Sequence, residues 1–194
     1  MGWCRIAGHQ TSAGTGCLHL AHCAPSVFHI SKVVGCRERR FNRAKGKQVM
    51  IKITPVMKDL LDKALADGTP CLIGTASKDG HPQISPKGSV AVFNDDTLCY
   101  WERSHRSSQK RLGENQNVVV YYRNPARKEN PYRAGCIRFH GKARLVTSGP
   151  ERDKAWDLTN HEEQSKDPDK KGAAVIIDLD LIEQIDSSVI MKKD

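Results

Sequence analysis

The chain has 194 residues, 31 Lys and Arg against 22 Asp and Glu, 38% hydrophobic residues and a net charge of +9. That length suits one domain with a tail, and no stretch approaches the ~18 consecutive apolar residues of a membrane helix, which excludes a helical membrane protein. With 15 Gly and 9 Pro, the composition also falls below the range of fibrous or low-complexity chains.

The charge is unevenly spread. Residues 1–49 hold eight Lys and Arg against one acid, Glu38, a net +7, together with four of the seven cysteines (Cys4, Cys17, Cys23, Cys36). Glycines and Pro25 interrupt every helical or strand period there. Cys17, His19, His22, Cys23 and Cys36 offer ligand atoms for zinc but lack the paired spacings of a structural site. The acid-poor, Arg-bearing composition is shared with transit peptides. The expectation is a basic Cys/His-containing extension over 1–49, either disordered or a misassigned start with translation beginning at Met50, and a folded domain over 50–194. An alternative function rests on the same charge, a nucleic-acid-binding protein acting through the tail. The folded part lacks the basic-aromatic strand pattern of RNA-recognition modules, which argues against nucleic acid as a partner.

From Met50 onward the pattern becomes regular. Thr54-Pro55 is a helix start, with Met57, Leu60, Leu61, Ala64 and Leu65 on one face and Gly68 as the stop. Residues 70–77 read as a buried strand, turning at Asp79-Gly80 into a second strand over 81–85. Residues 88–93 and 97–102 read as two more strands, followed by a short polar helix over 106–114. Val118 to Tyr122 and the alternating stretch 135–146 complete six strands. Ser148-Gly149-Pro150-Glu151 has the form of a capping box opening another helix, residues 165–172 form a charged loop, 173–178 a further strand, and the end frays from Asp186. Short strands at close spacing predict a mainly β fold, a barrel with peripheral helices. Loop 123–133 reads as solvated. Cys71, Cys99 and Cys136 fall on strands as buried, unpaired thiols, which suits a reducing cytoplasm.

No Gly-rich nucleotide motif, nucleophile elbow or spaced metal-ligand set is present. Two segments carry the candidate chemistry. In Ser85-Pro86-Lys87-Gly88-Ser89, Pro86 and Gly88 interrupt a strand and place Lys87 at a bend beside free amides. In the run from Trp101 to Lys110, a strand end enters a helix start that bears Arg106, Ser107, Ser108 and Lys110, a composition suited to phosphate. Trp101 offers a flat apolar face there. The plainer reading makes Ser104 a helix cap and Trp101 part of the core.

These residues carry a resemblance. The opening helix, the hairpin GTPCLIGTASKDGHPQISPKG, the block NDDTLCYWERSHRSSQKRLGENQNVVVYYRNP and the strand RFHGKARLV resemble the FMN-binding split-barrel proteins related to pyridoxamine 5'-phosphate oxidase. The resemblance implies a six-stranded split β-barrel with peripheral α-helices, a homodimer, and an FMN in each cleft between subunits. It implies an FMN-dependent oxidoreductase moving electrons or hydride between flavin and a small molecule. Ser85, Lys87, Gly88 and Ser89 would run beside the isoalloxazine, with Trp101 and Glu102 next to it. Arg106, Ser107, Ser108 and Lys110 would surround the phosphate. Many relatives carry a Lys where this chain has Ser108, so the phosphate charge falls to Arg106, Lys110 or Lys87. The C-terminal Arg and His stretch of true pyridoxamine-phosphate oxidases is missing, so vitamin B6 oxidation is not expected. A binder of flavin, deazaflavin or haem without turnover is the alternative within the fold.

Overall fold

Thr54 opens the folded part: its side chain accepts the Met57 amide at 3.2 Å, and Pro55 begins α1 (Pro55–Lys63). The computed structural model describes residues 50–104 and 107–193; the zinc, transit-peptide and alternative-start readings of 1–49, and Arg106, lie outside the described residues. Helix α1 buries Met57, Leu60 and Leu61. The strands follow as β1 (Cys71–Ala76), β2 (Pro82–Lys87), β3 (Ala91–Asn94), β4 (Thr97–Glu102), β5 (Asn117–Arg123), β6 (Cys136–Val146), β7 (Ala173–Gln184) and β8 (Val189–Lys192). Between them lie α2 (Ser107–Glu114), α3 (Pro150–Leu158) and α4 (His161–Ser165).

All strand neighbours are antiparallel, in the order β2-β1-β5-β6-β7-β4-β3, with β8 added to β7. The sheet curls strongly. Ile73 of β1 and Leu98 and Tyr100 of β4, four strands apart in that order, share one buried cluster with Val120, Phe139 and Val175. The period of two sorts β4 between two cores. Leu98 and Tyr100 point inward, whereas Cys99 and Trp101 point to a second cluster with Phe93, Ile176 and Trp156, closed by α3. The fold is therefore the mainly β barrel that the sequence implies, with eight strands rather than six.

Along the chain, six strands and a further one over 173–178 were expected, so β8 is the addition, and its cause is clear. Where fraying was expected, the backbone turns at Ser187, which has a positive φ, and Ser188 bonds to Asp186 through both amide and hydroxyl, so β8 folds back on β7. The strand expected from Gly88 starts only at Ala91, because Gly88 and Ser89 form a bend. The capping box also fails: Gly149, with φ of 88°, takes the N-cap position without a side-chain bond, and Glu151 turns outward to a two-pronged ion pair with Arg144. Loop 123–133 is largely exposed, as expected, and is also anchored, since Arg127 reaches Asp59 of α1 at 2.8 Å and Asp67 at 2.6 Å. At the β6–β7 bulge a Cβ on Gly141 would collide with the Asp178 backbone, so the close strand approach needs glycine there.

Candidate functional site

Pro86 is tolerated inside β2 because that strand is an edge of the sheet, where an amide is dispensable. The bend after it is pinned by Asn160, whose amide donates to the Gly88 carbonyl at 2.6 Å. β4 ends alongside. Between the two strand ends lies a cavity of about 630 Å³, lined by Pro86, Lys87 and Gly88 on one wall, Trp101 to Ser104 on the other, and Glu163 of α4.

Glu102 organises this cavity. Its carboxylate is 1% exposed and accepts three donors: Lys87 Nζ at 2.6 Å and Ser108 Oγ at 2.9 Å on Oε2, and the Ser104 amide at 3.0 Å on Oε1. Burial of a carboxylate requires such partners. Together they tie the end of β2, the turn after β4 and the start of α2 to one side chain. Lys87 also lies 5.4 Å from the centre of the Tyr100 ring. A second carboxylate, Glu163, faces the same space; it takes Lys166 at 2.8 Å and Arg103 at 3.4 Å.

The Trp101 indole leaves the cavity. It lies in the second core, 4.8 Å from the Trp156 ring in edge-on geometry, with Arg152 over its face at 4.8 Å. Its Nε1 donates to Asp167 Oδ2 at 2.8 Å, and the Gly172 and Lys171 amides donate to the same carboxylate at 2.8 and 2.9 Å. Asp167 thereby folds the charged loop over the end of β4. Burial pushes its carboxyl up, but the bonds from Trp101, Gly172 and Lys171 outweigh burial and hold it below the ordinary value.

The comparisons with known proteins bear on the whole barrel. The family model described as Pyridoxamine 5'-phosphate oxidase matches residues 57–184. The chain belongs to the pyridoxamine 5'-phosphate oxidase family. HupZ from Group A Streptococcus is similar in structure, with a TM-score of 0.53 and 22% identity over 73% of this chain and 99% of that one. A form of HupZ with a His-to-Ala substitution gives 0.52 and 23% over 69% and 99%. An FMN-binding protein from Syntrophomonas wolfei subsp. wolfei gives 0.51 and 17% over 67% and 89%. No curated protein matches. At these identities the likeness concerns the fold. No helix among the described residues is long and apolar enough to cross a membrane.

Within this pyridoxamine 5'-phosphate oxidase barrel the candidate residues are divided. Lys87, Gly88, Trp101 and Glu102 line the cavity, Trp101 with its indole turned away into the core, so the expected flat face is not presented. Ser108 reaches the cavity wall through Glu102. Ser89 is spent inside the fold, its hydroxyl accepting the Trp101 amide and donating to the Trp101 carbonyl. Ser85 accepts from Gln83 on β2 and does not line the cavity. Ser107 is exposed at the start of α2, and Lys110 is 78% exposed in an i,i+4 pair with Glu114. Arg103, Ser104 and Glu163 were missed as candidates. Arg103 follows Glu102 directly and carried a readable signal, a cation at a strand end, while Ser104 was read only as a helix cap. Glu163 arrives from far along the chain and carried none. Among the described residues no cluster of three metal-ligating side chains occurs.

Two tests follow from this geometry. Lys87→Met strands the Glu102 charge and is expected to lower unfolding free energy by about 3–5 kcal/mol, while adding Glu102→Gln restores most of it; urea unfolding of both variants measures the difference. Because the Asp167 carboxyl is depressed in the folded chain, its contribution is full above the ordinary carboxylate pKa of about 4 and fades as pH falls toward its own lower value. Asp167→Ala should cost about 3 kcal/mol at neutral pH, and the wild-type advantage over it in thermal unfolding should shrink in acid.

Proposed function

We propose that residues 50–194 form an FMN-binding unit and that the chain is an FMN-dependent oxidoreductase acting on a small molecule, as a homodimer in the cytoplasm. The carrying observation is the cavity of about 630 Å³ bounded by both candidate segments, a volume within the usual range of about 300–1,000 Å³ for small-molecule sites. The residues present fit a flavin. The walls combine the apolar Pro86 and the Cβ-free Gly88 with Lys87, Arg103 and the Ser104 turn, and both buried acids are already paired, Glu102 with three donors among the described residues and Glu163 with Lys166 and Arg103. The FMN-binding fold neighbour supports the same reading.

On this reading Pro86 to Gly88 and Glu102 to Ser104 hold the cofactor, with Ser107 and Ser108 at the adjoining helix start. Bound flavin supplies the electron or hydride transfer. Lys87 keeps two N–H donors beyond the one given to Glu102 and presents them at the wall. Glu102 fixes the position of that ammonium and of the Ser104 turn. Gly88, pinned by Asn160, leaves the wall without a Cβ. A second copy is expected over the open side, where edge strand β2 exposes Ile84 to 70%, an apolar edge that proteins ordinarily cover.

Titration of the full chain with FMN, followed by flavin absorbance and fluorescence quenching, should show one flavin per chain; absence of uptake overturns the reading. Sedimentation velocity should give the mass of two chains, and Ile84→Lys should shift the population toward one.

A further inference from the structure

Among the described residues two cations line the cavity, and their surroundings divide their roles. Lys87 is 16% exposed and lies 2.6 Å from a Glu102 carboxylate that is 1% exposed. Moving Lys87 to any incoming anion would leave a buried charge without its counterion, which is strongly unfavourable. The Ser104 amide and the Ser108 hydroxyl are bound to the same carboxylate. The charge of Lys87, which with Arg106 and Lys110 was one of three candidates for a phosphate, is therefore committed to Glu102.

Arg103 is placed differently. Its side chain is 44% exposed, and its ion pair with Glu163 Oε2 is long, at 3.4 Å. Glu163 has a second counterion, because Lys166 Nζ sits 2.8 Å from its Oε1 and 3.0 Å from Oε1 of Glu162, which shares it. Arg103 can exchange Glu163 for another anion while Glu163 keeps a counterion. The pair is long and its guanidinium half-exposed although Glu163 itself is buried, whereas a guanidinium meeting a phosphate or carboxylate at close range forms two parallel charge-assisted bonds. Glu163 also keeps the guanidinium at the wall before any anion arrives, which lowers the ordering penalty of binding.

We propose that Arg103 is the oxyanion-recognition residue of the cavity, parked on Glu163 when no anion is present and released to a phosphate or carboxylate because Lys166 keeps Glu163 neutralised. This rests on the cavity being the flavin site and adds a ligand chemistry to it. The oxyanion has two possible sources, the 5'-phosphate of the flavin and a free anionic substrate.

The experiment is isothermal titration of the full chain with three probes: FMN, riboflavin, and inorganic phosphate added to FMN-loaded protein. If Arg103→Ala weakens FMN by about tenfold and leaves riboflavin unchanged, Arg103 reads the cofactor's own phosphate. If FMN affinity is unchanged and inorganic phosphate binding falls by about tenfold, Arg103 reads a substrate anion. Arg103→Lys, which keeps the charge without the fork, should recover part of the loss. Lys166→Ala should weaken the same anion several-fold, since Glu163 then holds Arg103 more firmly; an unchanged affinity overturns the exchange. Arg103→Ala without effect on FMN or phosphate overturns the proposal while leaving flavin binding intact. If wild-type protein takes up neither flavin but binds inorganic phosphate in an Arg103-dependent manner, the flavin reading falls and the role of Arg103 stands. Thermal unfolding of each variant confirms that the fold is retained.

Discussion

Burial of β4 on both faces is the constraint on which the rest of the molecule depends. Every residue from Thr97 to Glu102 is buried, so neither side of that strand can face water. One side is satisfied only if the sheet curls until β1 and β4 share a core, and the other only if α3 lies across Trp101 and Ile176. The strand ends on a charged residue, and that residue too must be satisfied without water. The ligation of Glu102 by Lys87, Ser104 and Ser108 is thus part of closing the barrel. The cavity is the space left where β2 and β4 end together.

The charge arrangement follows from the same constraint. A cation that is its buried acid's one charged partner among the described residues is fixed, and a half-exposed cation whose acid has a second counterion is exchangeable. Lys87 and Arg103 stand on the two sides of that division although both line one cavity. Position along the chain does not distinguish them; the second counterion that Lys166 gives Glu163, and the greater exposure of Arg103, do.

The parts of this structure legible in the sequence are those written in local periods and turns. The Thr54-Pro55 start, the Asp79-Gly80 hairpin and the alternation of β6 are all decided within a few residues of themselves. The resemblance extended this to the barrel. What stayed hidden depends on distant partners. Ser148 has the chemistry of a cap, but Arg144 and Glu151 pair across it and Gly149 takes its place. Arg127 looks like loop charge until Asp59 and Asp67 come near. Trp101 is read toward a ligand or toward the core with equal ease until Asp167 fixes its indole. In the site, the two segments were visible as interruptions of pattern, whereas Glu163 is brought in by α4 and leaves no local trace.

The position of β7 has a consequence for synthesis. This strand lies between β6 and β4, and its far half also carries β8. It is translated after both β4 and β6, yet in the strand order it is what joins β6 to β4. Until residue 184 has emerged, the nascent chain holds the β3–β4 and β5–β6 hairpins with open edges facing one another across a gap. Such edges pair readily with other chains. A ribosome stalled just before Ala173 would therefore display an aggregation-prone half-barrel, and holding those edges apart for the time needed to translate one more strand is a demand this topology makes on the cell.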